Sequence, residues 1–388
     1  MSAPETTLFV GMTVEQLWQP VPGGSGTYVT ELARALSERP DVRLTGLAAR
    51  PSGAPAVPLP SSMTVRHSRL PRWALYELWN RGRWTARLPS IRVSPAQGAT
   101  DVLHATTWAI PPRTAPLAVT IHDLAFLREP SHFTRRGNAF FRRALATALD
   151  EADVVVVPSL TTAEDCIAHG FAPERLRVIH HGVQVPSVTD SEVARFREVH
   201  DLVRPYVLWC GAIEPRKNLA NLLEAFGRLV NQDDAGLDLV LVGPVGWGGA
   251  SAEVAARAAR LPPGRVHMLG RLAPLELHRA YAGALVFCFP SIWEGFGMPV
   301  LEAMAHGTPV VTSIGTSMQE VSPAGALLVD PLSPDDIVRG LREAVDRRAE
   351  LSAAAVRNAA RFTWERSAEM HVAAYRDAVN RRQRRVRA

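Results

Sequence analysis

The part of the sequence that most constrains the fold is residues 285–330. An apolar run over 285–289 ends at Pro290, a loop with two glycines follows, and Pro299 opens a short helical segment that stops at Gly307. A second apolar run begins directly afterwards. Proline suits the first helical position because its missing N–H would be unpaired there, and glycine suits the position just past the helix. This order predicts a strand, a loop, a helix and a second strand, which is the repeating unit of a parallel sheet.

Two glutamates flank the loop of this unit. Glu294 lies in the loop and Glu302 lies one turn into the helix, while the backbone N–H groups of Phe296 and Gly297 and the positive end of the helix favour an anion. An ionised glutamate only accepts hydrogen bonds, so the combination fits a ligand that carries both phosphate and hydroxyl groups. The alternative is that Glu302 only complements the helix dipole and that Glu294 is a solvated loop residue.

The spacing of these glutamates, E-G-F-G-M-P-V-L-E over 294–302, resembles the retaining GT-B glycosyltransferases, in particular the nucleotide-sugar-dependent family 4. The signature of that family is two glutamates with seven residues between them. The resemblance implies that Glu294 contacts the donor sugar and that Glu302 holds the ribose of the nucleotide. It also implies an α/β fold with two Rossmann-like, doubly wound parallel-sheet domains facing each other across a cleft.

A second motif follows the strand predicted over 206–211. The sequence there is A-I-E-P-R-K-N, and Arg216 and Lys217 suit phosphate binding, Arg as a planar fork and Lys as a point charge. An isolated Arg-Lys pair is more often a solvated turn. Many family members have Arg directly after the strand's glycine and Lys five residues later; Lys217 matches, but Ala212 stands at the arginine position, so we infer that Arg216 supplies that charge. The E-P-R-K-N wording resembles a subgroup often associated with mannose transfer.

The first half of the chain contains further candidate contacts. Gly23 and Gly24 lie between a predicted strand and a helical pattern, and in the resembling enzymes this loop lies under the donor diphosphate. His122 follows an apolar strand and precedes Asp123, and the resemblance to a T-x-H-D motif implies that it lines the sugar pocket. A lone histidine is more often structural, which is the interpretation we favour for His104.

A further set of expected contacts concerns the nucleotide base. In the resembling enzymes the backbone of a loop in the second domain brackets the base, and the matching residues here are Arg271 and Leu272. The catalytic residues expected from the resemblance are His122, Glu294, Lys217 and Arg216.

The length of the chain, 388 residues with 47% hydrophobic side chains, is comfortable for two globular domains. We assign residues 1–185 to an N-terminal, acceptor-binding, Rossmann-like domain and residues 205–361 to a C-terminal domain that binds the nucleotide-sugar donor. Residues 186–204 are predicted to be an irregular linker and residues 381–388 a disordered basic tail. In GT-B enzymes the last helix returns to the first domain, which the resemblance implies for residues 362–380.

The composition and short motifs indicate which cofactors and which cellular location to expect. Three scattered cysteines form neither a disulfide framework nor a metal-ligand pair, and the sequence has no D-x-D triplet. We therefore expect no metal and no bound cofactor, with the nucleotide sugar as a co-substrate. The N-terminus lacks the pattern of a signal peptide, and no apolar run approaches the roughly 18 residues needed to span a bilayer. We expect a cytoplasmic protein, with peripheral contact to the inner membrane face as an additional possibility.

Basic segments suggest anionic partners. The formal net charge is +5, which favours nucleotides or phospholipid head groups. A segment over residues 72–87 alternates Trp and Arg, and Arg135, Arg136, Arg142 and Arg143 lie on a predicted amphipathic helix. The first segment is either a core helix with a solvated basic face or a surface that rests on an anionic membrane. The second is either a solvated face or a surface for an acceptor phosphate or a lipid. The arginines are scattered, so no specific nucleic-acid partner is expected.

The resemblance implies a retaining hexosyltransferase that moves a sugar from a nucleotide-diphosphate sugar to a sugar or lipid-linked glycan acceptor in surface polysaccharide or glycoconjugate synthesis. GDP-mannose is the first expectation for the donor and a UDP-sugar the second. The alternatives from other classes are an epimerase or hydrolase of nucleotide sugars on the same fold, and a noncatalytic nucleotide-sugar-binding protein.

Overall fold

The computed structural model describes residues 6–19, 23–51, 53–80, 100–233, 236–244 and 250–387. The chain divides into two compact units. One comprises Met1–Gly182 together with Trp364–Ala388, and the other comprises Val183–Thr363. The second unit is therefore inserted between two parts of the first. Of the Trp/Arg segment over 72–87, residues 81–87 lie outside the described ranges.

The first unit is built on a parallel sheet. Within the described ranges its strands are β1 (Leu8–Thr13), β2 (Val42–Ala48), β3 (Thr64–His67), β4 (Val102–Ala105), β5 (Leu117–Thr120), β6 (Val154–Val157) and β7 (Leu176–Val178). Their spatial order is β3-β2-β1-β4-β5-β6-β7. The central strands β4, β5 and β6 are buried along their whole length. A parallel sheet covered on both faces requires such burial, which is why these strands are nearly continuous apolar runs.

The first unit also contains six described α-helices. They are α1 (Gly23–Ser37), α2 (Arg72–Trp79), α3 (Ala125–Arg128), α4 (Arg135–Glu151), α5 (Leu160–Ala168) and the last helix of the chain, α14 (Trp364–Arg387). In α1 the predicted apolar face is buried, with Tyr28, Leu32 and Leu36 inaccessible to solvent. Helix α14 packs against α1 and against β4, β5 and β6, so the end of the chain contributes to the core of the first unit.

The second unit repeats the same architecture. Its described strands are β8 (Tyr206–Cys210), β9 (Asp238–Val242), β10 (Val266–Gly270), β11 (Val286–Phe289), β12 (Val310–Ser313) and β13 (Ala326–Val329), in the spatial order β10-β9-β8-β11-β12-β13 and all parallel. Its helices are α6 (Asp190–Val199), α7 (Leu219–Asp233), α8 (Ala250–Ala258), α9 (Pro274–Gly283), α10 (Met298–Ala305), α11 (Ser317–Val321), α12 (Pro334–Asp346) and α13 (Arg348–Ala359). Two Rossmann-like α/β sheets are thus present, as the resemblance implies.

Three boundaries differ from those predicted. The first unit gives way to the second after Gly182 rather than after residue 185. The predicted linker over 186–204 contains α6, whose capping residue Thr189 bonds reciprocally with Glu192, and it belongs to the second unit. The last helix does not end at residue 380, because α14 continues to Arg387. Ion pairs of Arg376 with Asp41 and of Arg381 with Asp377 stabilise its second half.

The strand order reverses next to the first strand of each sheet, between β1 and β4 and between β8 and β11. The connections from two such strands leave to opposite faces of the sheet, and the crevice that opens at the carboxyl edge is where ligands bind in these folds. In the second unit, the loops that leave β8 and β11 carry the predicted cations and Glu294.

Candidate active site

The loops after β8 and β11 bring three charged residues together. Lys217 Nζ lies 2.6 Å from Glu294 Oε1, and Arg216 Nη1 lies 2.6 Å from the same oxygen. Arg216 Nε also contacts Glu214 Oε2 at 2.9 Å. The two cations predicted from the sequence therefore converge on the first of the two predicted glutamates.

Backbone contacts hold the two loops together. Arg216 and Lys217 lie in a 3-10 turn, and Asn218 follows in the left-handed conformation, with φ of 58°. The Asn218 side-chain amide donates to the carbonyls of Pro290 and Pro331 at 3.0 and 2.6 Å. The backbone N–H of Ile292 donates to the Arg216 carbonyl at 2.8 Å. These bonds fix the cations relative to Glu294, which is the preorganisation that electrostatic catalysis requires.

Glu294 stays ionised in this environment. Burial alone would raise the pKa of its carboxyl, but Lys217 and Arg216 lower it to about 2. Lys217 is 7% exposed, and its ammonium group also lies over the Phe289 ring at 4.5 Å. The Arg216 guanidinium lies 5.0 Å from the centre of the Trp293 ring. The carboxylate is therefore an acceptor at neutral pH, and each cation has an aromatic neighbour.

Ser317 supports Glu294 from another element. Its hydroxyl donates to the Glu294 carbonyl at 2.7 Å, at the start of α11. No sequence pattern signals this contact, because it depends on the tertiary approach of α11 to the loop.

Glu302 lies in α10 and takes part in a second group of polar contacts. The Tyr281 hydroxyl donates to Glu302 Oε2 at 2.9 Å, which leaves the Cys210 thiol, 2.7 Å from the same hydroxyl, as a donor to Tyr281. Burial raises the pKa of Glu302, and the hydrogen bond from Tyr281 partly opposes this. Tyr281 and Cys210 are 21 and 92 positions before Glu302 in sequence, so spacing alone gave no sign of either.

The remaining predicted contacts of the second unit are Phe296, Gly297, Arg271 and Leu272. Gly297 caps α10 with φ of 105°, and an added Cβ would lie 2.8 Å from the Met318 side chain. The Phe296 ring is buried in the core, so only its backbone is placed for a ligand. Arg271 follows β10 and is exposed, whereas Leu272 packs partly against the core of the unit.

Gly23 and Gly24 form the first turn of α1 rather than a loop that precedes the helix. Gly23 has φ of 62°, and a Cβ added at either glycine would meet no atom within 4 Å. The side of this turn where side chains would project is open, and a helix N-terminus presents backbone N–H groups. This geometry is compatible with the predicted approach of a phosphate.

His122 leaves the carboxyl end of β5 and is half-buried. Its Nε2–H donates to the Thr106 carbonyl at 3.0 Å, so Nδ1 is the unprotonated nitrogen. Burial lowers the pKa of His122, although Thr106 and Asp123 act in the opposite direction. The ring packs edge-on against Tyr28 at 4.9 Å. His122 is therefore a neutral hydrogen-bond acceptor held in a fixed orientation.

His104 has a structural role, as favoured from the sequence, in a chain of buried polar groups. The His371 Nδ1–H donates to the Ser367 carbonyl at 2.7 Å, so Nε2 accepts from the Tyr28 hydroxyl at 2.9 Å. Thr120 donates to Tyr28 at 2.9 Å and accepts from His104 Nε2–H at 2.7 Å. His104 Nδ1 accepts from the Tyr375 hydroxyl at 2.8 Å. This buried chain, Tyr375–His104–Thr120–Tyr28–His371, links α14, β4, β5 and α1 in one direction of donation.

Neither a metal centre nor a membrane span is found within residues 6–19, 23–51, 53–80, 100–233, 236–244 and 250–387. Among them, no group of three or more His, Cys, Asp or Glu side chains is arranged to hold a metal ion. In the same part of the chain, no helix combines the length and apolar character needed to cross a bilayer.

Comparison with known proteins places this geometry in a family. Residues 190–362 match the family model described as glycosyl transferases group 1, and residues 22–185 match the model described as glycosyltransferase family 4. The chain is 31% identical over 385 residues to the D-inositol 3-phosphate glycosyltransferase of Geodermatophilus obscurus, covering 92% of this chain and 85% of that protein.

Two other proteins extend the comparison. The chain is 28% identical over 284 residues to the O-antigen chain mannosyltransferase B of Escherichia coli, covering 71% of this chain and 74% of that protein. The crystal structure of Anabaena Alr3699/HepE in complex with UDP and glucose superposes with a TM-score of 0.70 at 19% identity, over 94% of this chain and 98% of that chain. The family models match β2 to β7 of the first sheet and every described strand of the second. A relative above 30% identity extends along most of both sequences, so this chain belongs to the family 4 glycosyltransferases and is a glycosyltransferase.

Proposed function

We propose that this glycosyltransferase moves a hexose from a nucleotide-diphosphate sugar to a sugar or lipid-linked glycan acceptor, with retention of configuration at the anomeric carbon. The second unit binds the donor and the first unit binds the acceptor. The product is an intermediate of surface polysaccharide or glycoconjugate synthesis.

The observation that carries this proposal is the convergence of Lys217 and Arg216 on Glu294 at the reversal point of the second sheet. A diphosphate bound there competes with Glu294 for the two cations. As the bond to the sugar breaks, negative charge grows on the leaving diphosphate, and fixed cations stabilise that charge more than they stabilise the ground state. We assign Lys217 and Arg216 to this task, together with the N-terminus of α10.

The carboxylates serve the hydroxyl groups of the donor. Glu294 is ionised at neutral pH, so it accepts from hydroxyls of the sugar. Glu302 is held by Tyr281 at one oxygen, and we assign it to the ribose. Gly23 and Gly24 contact the diphosphate, and the backbone around Arg271 and Leu272 contacts the base.

The transfer step breaks the bond between the anomeric carbon and the terminal phosphate oxygen and forms a bond between that carbon and the acceptor oxygen on the same face. The acceptor hydroxyl proton passes to the leaving diphosphate, so the products are the glycoside and a nucleoside diphosphate. His122 supports the step as a neutral acceptor of a sugar hydroxyl rather than as the base. Retention itself rests on membership of the family.

GDP-mannose is the proposed donor. The E-P-R-K-N motif supports it, and so does the similarity to the Escherichia coli O-antigen chain mannosyltransferase B. A UDP-sugar is the second candidate, because the Anabaena structure of the same fold was determined with UDP and glucose. No metal or other cofactor enters the proposal, and we propose a cytoplasmic location with peripheral contact to the membrane that carries a lipid-linked acceptor.

Nucleotide binding and product analysis test the proposal. Thermal unfolding is measured with GDP, UDP and ADP, because a ligand that binds only the folded state raises Tm by mass action. GDP-mannose is then incubated with the protein and a panel of sugar and lipid-linked acceptors, and the anomeric configuration of the product is read by NMR. Stabilisation by GDP and an α-linked mannoside support the proposal. A protein stabilised only by UDP moves the assignment to the second donor, and an inverted product contradicts retention.

A further inference from the structure

A shallow cavity of about 350 Å³, widely open to solvent, lies in the first unit beside the start of α4. It is lined by Pro130, Phe133, Arg135, Asn138, Ala139 and Arg142. Its volume falls within the range of small-molecule sites, roughly 300–1,000 Å³. All lining residues are neutral or cationic. In sequence, α3 lies between His122 and Pro130, the first lining residue of the cavity.

The orientation of Arg142 is fixed by a neighbouring amide. Arg142 Nε donates to Asn138 Oδ1 at 2.9 Å. Asn138 Nδ2 in turn lies 3.3 Å from the Pro130 carbonyl and 3.5 Å from the Phe126 carbonyl, so the amide cannot rotate without losing these contacts. Arg142 therefore keeps its two terminal nitrogens for another partner, in the planar fork that matches the oxygens of a phosphate.

The arginines of α4 fall into two pairs. Arg143 Nη2 and Arg136 Nη2 lie 2.9 and 3.6 Å from the carboxylate of Glu77, so these two arginines share one anionic partner. Among the residues that the structure describes, no carboxylate pairs with Arg135 or Arg142. Two uncompensated cations thus border one cavity, and such a cavity attracts an anion.

We propose that this cavity binds a phosphate group of the acceptor. Arg135 and Arg142 bind the phosphate oxygens, and the ring of Phe133 with Pro130 forms an apolar wall for the group that the phosphate carries. The inference rests on the proposed function, because it takes the first unit to be the acceptor-binding one. It narrows the acceptor to a phosphorylated sugar or a phosphate-containing lipid.

Phosphate titration tests the cavity independently of the donor site. The background variant is R216Q/K217Q/E294Q, in which the cations of the second unit and their carboxylate are replaced together by neutral side chains. Inorganic phosphate and phenyl phosphate are titrated by calorimetry at constant ionic strength. We expect saturable binding of both, tighter for phenyl phosphate because of Phe133.

Two matched charge changes on α4 decide the assignment. R135A/R142A removes the cations of the cavity, and R136A/R143A removes the same charge from the paired arginines of the same helix. Loss of two charge-assisted contacts should weaken phosphate binding about tenfold or more in R135A/R142A, with little change in R136A/R143A. Equal weakening in both variants, or no saturable binding in the background protein, overturns the proposal. Circular dichroism and Tm confirm that each variant is folded.

Vesicle binding distinguishes the source of the phosphate. The wild-type protein and the two α4 variants, here with an unaltered second unit, are sedimented with phosphatidylcholine vesicles that contain or lack phosphatidylglycerol. A selective loss of binding in R135A/R142A assigns the cavity to a lipid head group. Equal sedimentation of the variants, together with selective loss of phosphate affinity, assigns it to a soluble phosphorylated acceptor. Nucleotide stabilisation of the wild-type protein reports separately on the proposed function, so failure of either leaves the other measurable.

Discussion

Lys217 and Glu294 are 77 residues apart in sequence, yet Lys217 Nζ lies 2.6 Å from Glu294 Oε1. The two residues lie on different strand-to-helix loops, so the contact is tertiary and does not arise from residues close in sequence. The contact exists because β8 and β11 are neighbours in the sheet. In the absence of a donor, Glu294 is thus ion-paired with Lys217 and Arg216, the two cations that we assign to the diphosphate.

Replacing Lys217 by alanine should lower kcat by roughly 10²–10³, since a fixed cation aimed at a developing anion typically contributes this much. Replacing Glu294 by alanine should also lower kcat, because the donor sugar loses a charged hydrogen-bond acceptor. The protein should remain folded, because both loops keep the bonds made by Asn218. Steady-state kinetics and circular dichroism measure the two effects. Arg347→Ala, which removes an exposed ion pair with Glu343, is the control and should be active. Near-normal turnover of the Lys217 variant at unchanged Tm would remove the site assignment.

An arginine at position 212, five residues before Lys217, should partly replace the function of Arg216. Arg216→Ala should weaken donor affinity and turnover about tenfold through loss of a charge-assisted contact. Adding Ala212→Arg to this variant returns the charge to the position that many family members use, so we expect partial recovery of kcat/KM. A double variant no more active than Arg216→Ala would show that the two positions are not equivalent.

Tyr281→Phe should weaken binding of the nucleoside part of the donor and leave binding of its phosphates unchanged. The hydroxyl of Tyr281 opposes the rise in the pKa of Glu302, so its removal raises that pKa further. Protonated Glu302 is a poorer acceptor for ribose, and GDP affinity should fall roughly three- to tenfold, starting at a higher pH than in the wild type as pH decreases. Pyrophosphate affinity should not change. Calorimetry with both ligands measures this, and Tyr206→Phe, which removes another buried hydroxyl of the unit, is the control.

The buried chain of the first unit should make stability depend on pH. Burial lowers the pKa of His371 to about 4 and that of His104 well below its ordinary value of 6.5. The contribution of these neutral histidines to the free energy of unfolding is fully present above about pH 6.5. It is lost as pH falls through about 4, because the histidines of the unfolded chain bind protons at a higher pH than those of the folded protein. For His371 the full effect is about 3 kcal/mol, since one pKa unit corresponds to ~1.36 kcal/mol.

Urea unfolding at several pH values between about 4.5 and 8 measures this dependence. His371→Phe should be less stable than the wild type near neutral pH, because Tyr28 loses its acceptor, and its stability should vary less with pH. An unchanged slope in that variant would mean that other groups carry the acid sensitivity.

Much of the fold was predictable because its signals are local. The apolar runs that became β6 and β11, the proline that opens α10 and the glycine that follows it each depend only on neighbouring residues. The family resemblance implied that Glu294 and Lys217 serve one donor site, but the ion pair between them was not predicted. The helix α6 also had a local signal, the capping pair Thr189 and Glu192, but the polar residues around it favoured the wrong prediction of an irregular linker.

The groups that support the site were not predictable in the same way. Tyr281 reaches Glu302, and His371 reaches Tyr28, through contacts between elements that are distant in sequence. Each of these residues looks like an ordinary helix residue in isolation. Their partners are decided by the packing of helices on the sheets, which residue spacing does not encode.

The return of α14 to the first unit has a consequence for synthesis on the ribosome. His371 and Tyr375, which complete the interior of the first unit, follow the whole of the second unit in the sequence and are translated after it. The inserted unit, in contrast, is contiguous and leaves the exit tunnel whole before them. We therefore expect the nascent chain to complete the second unit first, while the first unit remains unfinished until α14 emerges.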